Sequence, residues 1–354
     1  MSLHPYYNAE NHGPYEIINI GDLDLACGKT LHDCELAVAT HGQLNENKDN
    51  AILIPTWYSG TSKIIQDVFI GTGRTIDPDK YFVIVVNQIG NGLSSSPHNT
   101  RGAYAKADFP TISIADDVTA QHRLVTEHLG LSTLALVMGG SMGAQQTYEW
   151  AVRYPSMVER MAAIAGTART SDINKLLADA IIHGLRTDPS FNHGDYVDAQ
   201  AVSAGLAQHA RLMTLYGLSA AFFEQQHHKP LGFDTVEAFF DGFMKPYFSA
   251  MDPNNLITML EKWRAADVSA FEGGNLRAAL GRITAKALIM PISQDMIFPL
   301  STCLAEAEMI PDAVFHASSS PSGHLGLFGI DGEWVREVDN QLAELLGQTY
   351  ASSV

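Results

Sequence analysis

Gly139-Gly140-Ser141-Met142-Gly143 sets a serine among small residues where a short apolar run, Thr133 to Met138, meets a segment with helical spacing. The run has the length of a buried strand. In the segment after it, Tyr148, Ala151 and Val152 recur at helical intervals and Pro155 marks a stop. A Gly-x-Ser-x-Gly at a strand-to-helix junction is a nucleophile elbow: the turn is sharp, small neighbours make room for it, and the hydroxyl stands clear of the sheet. The helix that begins there points free N–H groups and the positive end of its dipole at the same spot, which suits an oxyanion. The pattern is loose and the chain holds 29 glycines, so a chance match is the alternative. The strand–turn–helix context argues for the elbow and for Ser141 as nucleophile.

A nucleophilic serine needs a base and a group that orients the base, here expected in the order serine, acid, histidine. The apolar run Ala287–Ile292 reads as a strand, and Asp295 follows just past its carboxyl end. Ala313–Ala317 reads as a further strand, and His324 lies on the loop Pro321-Ser322-Gly323-His324-Leu325-Gly326 beyond it. Asp295 has a competing reading as a helix cap, and His324 as a solvated loop residue. His316 is the rival base, but its place in the middle of a strand is a poor one. Ser141, Asp295 and His324 are therefore the candidate catalytic residues.

These residues need an α/β frame to hold them. Ala51–Pro55 and Tyr81–Val86 are continuous apolar runs, hence buried strands; Ile114–Leu129 reads as a helix, and Met161–Gly166 as the strand after the elbow helix. Alternating strands and helices predict a mainly parallel central sheet with helices on both faces. Asp22–Ala26 and Cys34–Thr40 read as an antiparallel pair at its edge. Between about 170 and 280 no buried strand is visible, and Ala201–Leu218, Val236–Met244 and Leu256–Ala265 have helical spacing. So long a stretch is no loop. It is expected to be an inserted helical cap over the strand ends, which divides the chain into a first core part (1–169), the cap (170–282) and a second core part (283–354).

The chain's 354 residues carry a net charge of −17, which argues against nucleic acid or an anionic membrane as partner. No apolar run is long enough to span a bilayer. The first ten residues have neither a basic region nor an apolar core, so no secretory signal is expected, and Met1-Ser2-Leu3 is compatible with an expression-vector scar. Cys27, Cys34 and Cys303 form an odd set without metal-ligand spacing, so reduced thiols in the cytoplasm are expected and no metal site. His227-His228 reads as a solvated pair rather than a metal site, and Gly90–Pro97 lacks the lysine of a phosphate loop and is expected at the pocket entrance. Phe239, Phe240, Phe243 and Tyr247 read as packing residues.

The chain resembles the homoserine O-acetyltransferase family of α/β-hydrolases over nearly its whole length. The resemblance rests on Gly139–Gly143 with the trailing Tyr148-Glu149-Trp150-Ala151, on His41-Gly42-Gln43-Leu44-Asn45, on Asp108–Ile114 and on Asp295–Pro299. It implies an α/β-hydrolase fold, acyl transfer from acetyl-CoA to an alcohol through an acyl-serine, and a homodimer built through the cap helices. It also implies an oxyanion hole from the backbone N–H of Met142 and of Tyr58, in the loop Thr56-Trp57-Tyr58-Ser59-Gly60.

Departures from the family point elsewhere. Leu325 stands where the family has an aspartate that holds the homoserine ammonium, and Ile182 aligns with an arginine that grips its carboxylate. Tyr216-Gly217-Leu218 replaces Tyr-Arg-Ser, and Trp57-Tyr58 replaces part of the family's oxyanion loop. Burying a zwitterion against leucine and isoleucine leaves its charges without partners, at a cost of roughly several kcal/mol each. Trp57, Leu325 and Ile182 are thus candidates for a less polar substrate pocket. Two readings follow. The first is hydrolysis of a small or medium carboxylic ester, which needs no cofactor. The second is acetyl transfer to homoserine or another alcohol, with acetyl-CoA as co-substrate, and Lys229, Lys245, Lys262 and Arg264 are the cap cations that CoA phosphates could meet. A binding protein on a hydrolase frame is a third reading, disfavoured by a complete catalytic set.

Overall fold

The structure, a computed structural model, describes residues 4–348; the Met1-Ser2-Leu3 reading lies outside them. Its ten strands are β1 (Glu16–Asn19), β2 (Leu23–Asp24), β3 (Thr30–Leu31), β4 (Glu35–His41), β5 (Ala51–Pro55), β6 (Phe82–Val86), β7 (Leu136–Gly140), β8 (Arg160–Ile164), β9 (Lys286–Met290) and β10 (Ala313–Phe315). Eight of them form one sheet in the order β1-β4-β6-β5-β7-β8-β9-β10. From β6 to β10 every pairing is parallel, and β1 and β4 join antiparallel.

Strand residues alternate between two apolar layers, as a pleated backbone requires. Leu53, Ile84, Val137, Ala163 and Ile289 face one layer with Val118, Tyr148 and Trp150. Their neighbours Ile52, Val83, Leu136, Ala162 and Leu288 face the other, with Ile65, Trp334 and Val338. Helices Ile114–Arg123 and Met142–Arg153 thus cover one face, and helices Ser62–Phe69 and Gly332–Leu346 the other. Two layers of this kind bury the sheet on both sides, which explains why its central strands read as unbroken apolar runs.

The edge differs from expectation. Leu23–Asp24 does not pair with Cys34–Thr40; it closes a local hairpin with Thr30–Leu31, with Leu23 and Leu31 buried. The partner of β4 is β1, a strand whose residues are mostly exposed. A strand with so little buried surface leaves no periodic apolar signal. The Ile114–Leu129 helix is an α-helix to Arg123 that widens into a π turn over Leu124–His128.

Between β8 and β9 lie the inserted helices expected as a cap, the longest being Asp172–Arg186, Ser203–Gly217 and Pro253–Ala265. They share an apolar cluster that includes Leu177, Ile181, Leu206, Phe222, Phe239, Phe248, Leu256 and Leu260. The 236–244 segment is an α turn, Val236–Phe239, followed by a π turn, Phe240–Met244. The cap also reaches the core through polar groups: the Tyr247 hydroxyl donates to the Ser59 carbonyl at 2.8 Å. Among the described residues, no helix is long and apolar enough to cross a membrane.

Candidate active site

Ser141 sits between β7 and helix Met142–Arg153 with φ 55° and ψ −125°. A side chain in that region strains the backbone, and the surroundings hold it there by close approach: a Cβ on Gly143 would lie 2.6 Å from the Pro55 carbonyl oxygen. The crowding explains the glycine at the second flank of the motif. The serine hydroxyl emerges at the carboxyl end of β7.

His324 arrives from the 3-10 helix Gly323–Phe328, which follows β10, and Asp295 from the turn after β9. His324 Nε2 lies 2.9 Å from Ser141 Oγ, and His324 Nδ1 lies 2.7 Å from Asp295 Oδ2. All three residues are buried. The other Asp295 oxygen accepts the backbone N–H groups of Ile297 at 2.7 Å and Phe298 at 3.1 Å. The cap-like and the catalytic readings of Asp295 therefore coexist, one on each oxygen. An ionised carboxylate has no proton to give, so Nδ1 carries the hydrogen and Nε2 is left to accept the serine proton.

Met142 is the first residue of its helix, so its N–H has no acceptor within the helix. Tyr58 N likewise makes no hydrogen bond to the protein among the described residues. Both belong to residues buried beside Ser141, and two free N–H groups there can stabilise a developing oxyanion. The Tyr58 hydroxyl lies 3.1 Å from Nε2 of His209 on cap helix Ser203–Gly217. Burial lowers the His209 pKa to about 3, so the imidazole is neutral, and burial likewise raises that of the Tyr58 phenol.

The cavity over Ser141 is walled by Trp57, Tyr58, Met213, Phe248, Trp263, Ile297, Leu325, Leu327 and Phe328 with His324 and Ser59. Its free volume of about 20 Å³ is room for about one water molecule. No carboxylate, lysine or arginine lines it. Trp57 and Leu325 are thus at the site. Ile182 is not among the side chains that wall the cavity; it is buried in the same apolar cluster as Leu325, Met213 and Phe248. Met213, Phe248 and Trp263 escape a reading of the sequence because packing of the inserted helices brings them to the serine, and Phe328, at the end of the 3-10 helix that carries His324, is marked by no local motif.

Leu325 and Gly217, two of the departures from the family pattern, touch. A Cβ on Gly217 would come within 3.1 Å of Leu325 Cγ. The leucine fits beneath the cap because the cap helix ends without a side chain at that point.

Other expectations are corrected. Gly90–Pro97 does not line the cavity; it is buried, and the Ser94 and Ser95 hydroxyls accept the N–H groups of Ala37 and Glu35 at 2.9 Å each. Lys262 is no surface cation but fully buried, whereas Lys245 and Arg264 pair with Asp241 and Asp179 on the surface. His228 is buried, with Nδ1 2.8 Å from the Phe233 carbonyl, so the His227-His228 pair is not wholly solvated. His316 pairs with Glu337 at 2.7 Å, and no contact with Ser141 is formed. Among the described residues no group of histidine, cysteine and acidic side chains is arranged to hold a metal, and all three cysteines are free.

Comparison with known proteins agrees with this geometry. The family model described as the alpha/beta hydrolase fold matches residues 52–329. The ethyl acetate hydrolase of Pseudomonas veronii is 56% identical over 344 residues, which span 97% of this chain and 99% of that protein. The crystal structure of an acetylester hydrolase from Corynebacterium glutamicum, 45% identical, superposes with a TM-score of 0.97 and covers 98% of this chain and 100% of that one. The homoserine O-acetyltransferase of Thermobifida fusca is 30% identical, with 92% of each chain covered. The resemblance to homoserine O-acetyltransferases is therefore the more distant one, and the esterases are nearer relatives.

Proposed function

We propose, on the premise that this chain belongs to the α/β-hydrolase family, that it hydrolyses small neutral acetate esters through an acyl-enzyme on Ser141. The observation that carries the reading is the hydrogen-bonded line Asp295–His324–Ser141 opening into an apolar cavity of about 20 Å³. Ser141 Oγ attacks the ester carbonyl as its proton passes to His324 Nε2. The carbonyl oxygen takes the negative charge and is met by the N–H groups of Met142 and Tyr58. His324 then returns the proton to the alkoxy oxygen, the alcohol leaves, and the acetyl group stays on Ser141. Water repeats the sequence with His324 as base, giving acetate and the free serine. Asp295 holds the Nδ1 proton in place and stabilises the imidazolium that forms in each half.

The small size of the cavity supports a short acyl group, for which acetyl is the choice among the esterase relatives, and its apolar walls support an uncharged ester. Nothing in the walls pairs with an ammonium or a carboxylate, so acetyl transfer to homoserine has no support from the site, and acetyl-CoA has none as co-substrate. Hydrolysis needs no cofactor. We also infer that residues 170–282 act as the cap, that two copies pair through its helices, and that the protein works in the cytoplasm. The first draws support from the cap side chains over Ser141, the second from exposed Leu215 on helix Ser203–Gly217, and the third from the unpaired thiols.

The test is an ester panel with products followed by mass spectrometry. Ethyl acetate should exceed ethyl propionate in kcat/KM by roughly tenfold or more, since one methylene in a filled pocket is worth about that much. With acetyl-CoA and homoserine at millimolar concentration, O-acetylhomoserine formed faster than ethyl acetate is cleaved would overturn the reading in favour of transfer.

A further inference from the structure

A cavity with room for about one water raises the question of where the alcohol half of an ester goes. A larger cleft, of about 420 Å³, lies between helices Ser62–Phe69 and Gly332–Leu346, and Val68, Phe69, Val335 and Leu342 give it an apolar floor. Arg74, Asp339 and Arg336 also line it. Phe328 borders both spaces, the cavity over Ser141 and this cleft. Its ring stands 6.1 Å from that of Trp57, which walls the inner cavity, and 5.5 Å, nearly edge-on, from that of Tyr247. It is only partly buried.

Placement along the chain gives this border a direction. Phe328 ends the 3-10 helix that carries His324, four residues further on, or about 8 Å at the rise of such a helix. Gly329 follows in the left-handed region, at φ 75°. During the reaction the alkoxy oxygen must lie beside His324 Nε2, which gives it the proton, while the acyl group occupies the inner cavity. The alkyl chain on that oxygen then has to leave the inner cavity, and Phe328 is the side chain that lines both that cavity and the cleft.

We propose that Phe328 is a gate, and that the cleft between helices Ser62–Phe69 and Gly332–Leu346 is the subsite for the alcohol moiety of the ester. The ligand class is an unbranched, uncharged alkyl chain on an acetate. A rotation of the Phe328 side chain joins the two spaces, lets the ester in, and lets the alcohol out after the first half-reaction. The floor of Val68, Val335 and Leu342 buries the chain's methylenes, so longer alcohols bind better until the cleft is filled. The proposal rests on the ester-hydrolase reading, and its test separates the two.

Rates are measured for ethyl, butyl and hexyl acetate with the native protein, with Val335→Trp, which fills the cleft away from the inner cavity, and with Phe328→Ala, which removes the gate. In parallel, the labelling of Ser141 by phosphonates with ethyl and hexyl alkoxy chains is timed, which needs no ester turnover. In the native protein kcat/KM should rise from ethyl to hexyl acetate. Val335→Trp should lower hexyl acetate and hexyl phosphonate at least tenfold more than it lowers their ethyl counterparts. Phe328→Ala should raise the hexyl-to-ethyl ratio at least threefold in both measurements. Equal losses for ethyl and hexyl compounds in Val335→Trp, or a hexyl-to-ethyl ratio unchanged in Phe328→Ala, would overturn the gate. If the native protein left ethyl acetate intact while labelling followed chain length as expected, ester hydrolysis would fail and the gate would stand.

Discussion

Lys262, in the last turn of cap helix Pro253–Ala265, is buried against the carboxylate of Asp117 on the core helix Ile114–Arg123. The ammonium also donates to the Ile89 carbonyl at 2.6 Å and to Gln88 Oε1 at 3.2 Å, and Asp117 accepts the Ile89 N–H at 2.8 Å. Burial on its own pushes the lysine's pKa down and the aspartate's up; each partner opposes that for the other. With three acceptors around one ammonium the network is satisfied, and it fixes the cap to the core.

Breaking one half of that pair leaves a buried charge alone. Lys262→Met should therefore destabilise the fold by about 3–5 kcal/mol. Combining it with Asp117→Leu should recover most of the loss, because two apolar groups strand no charge. Urea unfolding of the single and double variants measures this; equal stability of Lys262→Met and the native protein would mean that the pair contributes nothing.

Ser141→Ala should leave the fold intact and lower ethyl acetate turnover by roughly 10⁴- to 10⁶-fold, as for nucleophiles that act in a unit with their base. His324→Ala should cost nearly as much. Asp295→Asn should cost about 10³- to 10⁴-fold, through the wrong tautomer and an unsupported imidazolium. Steady-state kinetics decide, with active-site titration to exclude contaminating native enzyme.

Leu325→Ala removes a wall of the acyl cavity without touching the line of hydrogen bonds. The ratio of ethyl butyrate to ethyl acetate hydrolysis should rise roughly tenfold or more, with the larger acyl group filling the new space. An unchanged ratio would show that another wall sets acyl size.

The buried His209 makes stability depend on pH. In the unfolded chain it binds a proton near 6.5, but in the folded protein only near 3. Between those values the unfolded state holds more protons, so stability falls as the pH drops from about 6.5 toward 3. The slope contributed is at most about 1.4 kcal/mol per pH unit. His209→Gln should lower stability at pH 7 yet flatten this dependence, measured as urea midpoints between pH 7 and 4.

What the sequence makes legible follows from how local each signal is. The elbow at Ser141 is written in five consecutive residues between an apolar run and a helix, and β9, which delivers Asp295, is buried over most of its length, so its end shows; β10, ahead of His324, is a partly exposed edge strand and shows more weakly. β1 is mostly exposed, and its pairing with β4 depends on residues distant in the chain. The cavity walls are hidden for a related reason: Met213, Phe248 and Trp263 have ordinary helical surroundings, and only the docking of the cap decides which of them face the serine. Lys262 is the plainest case. Charge and position suggest a surface residue, and its partner lies 145 residues away.

Ser141 holds a backbone conformation, φ 55° and ψ −125°, that any side chain strains and glycine tolerates. The fold thus spends part of its stability on the geometry that exposes the hydroxyl, and evolution toward thermal robustness and evolution toward catalysis pull this position in opposite directions. Ser141→Gly would be an inert protein with a melting temperature above that of its parent.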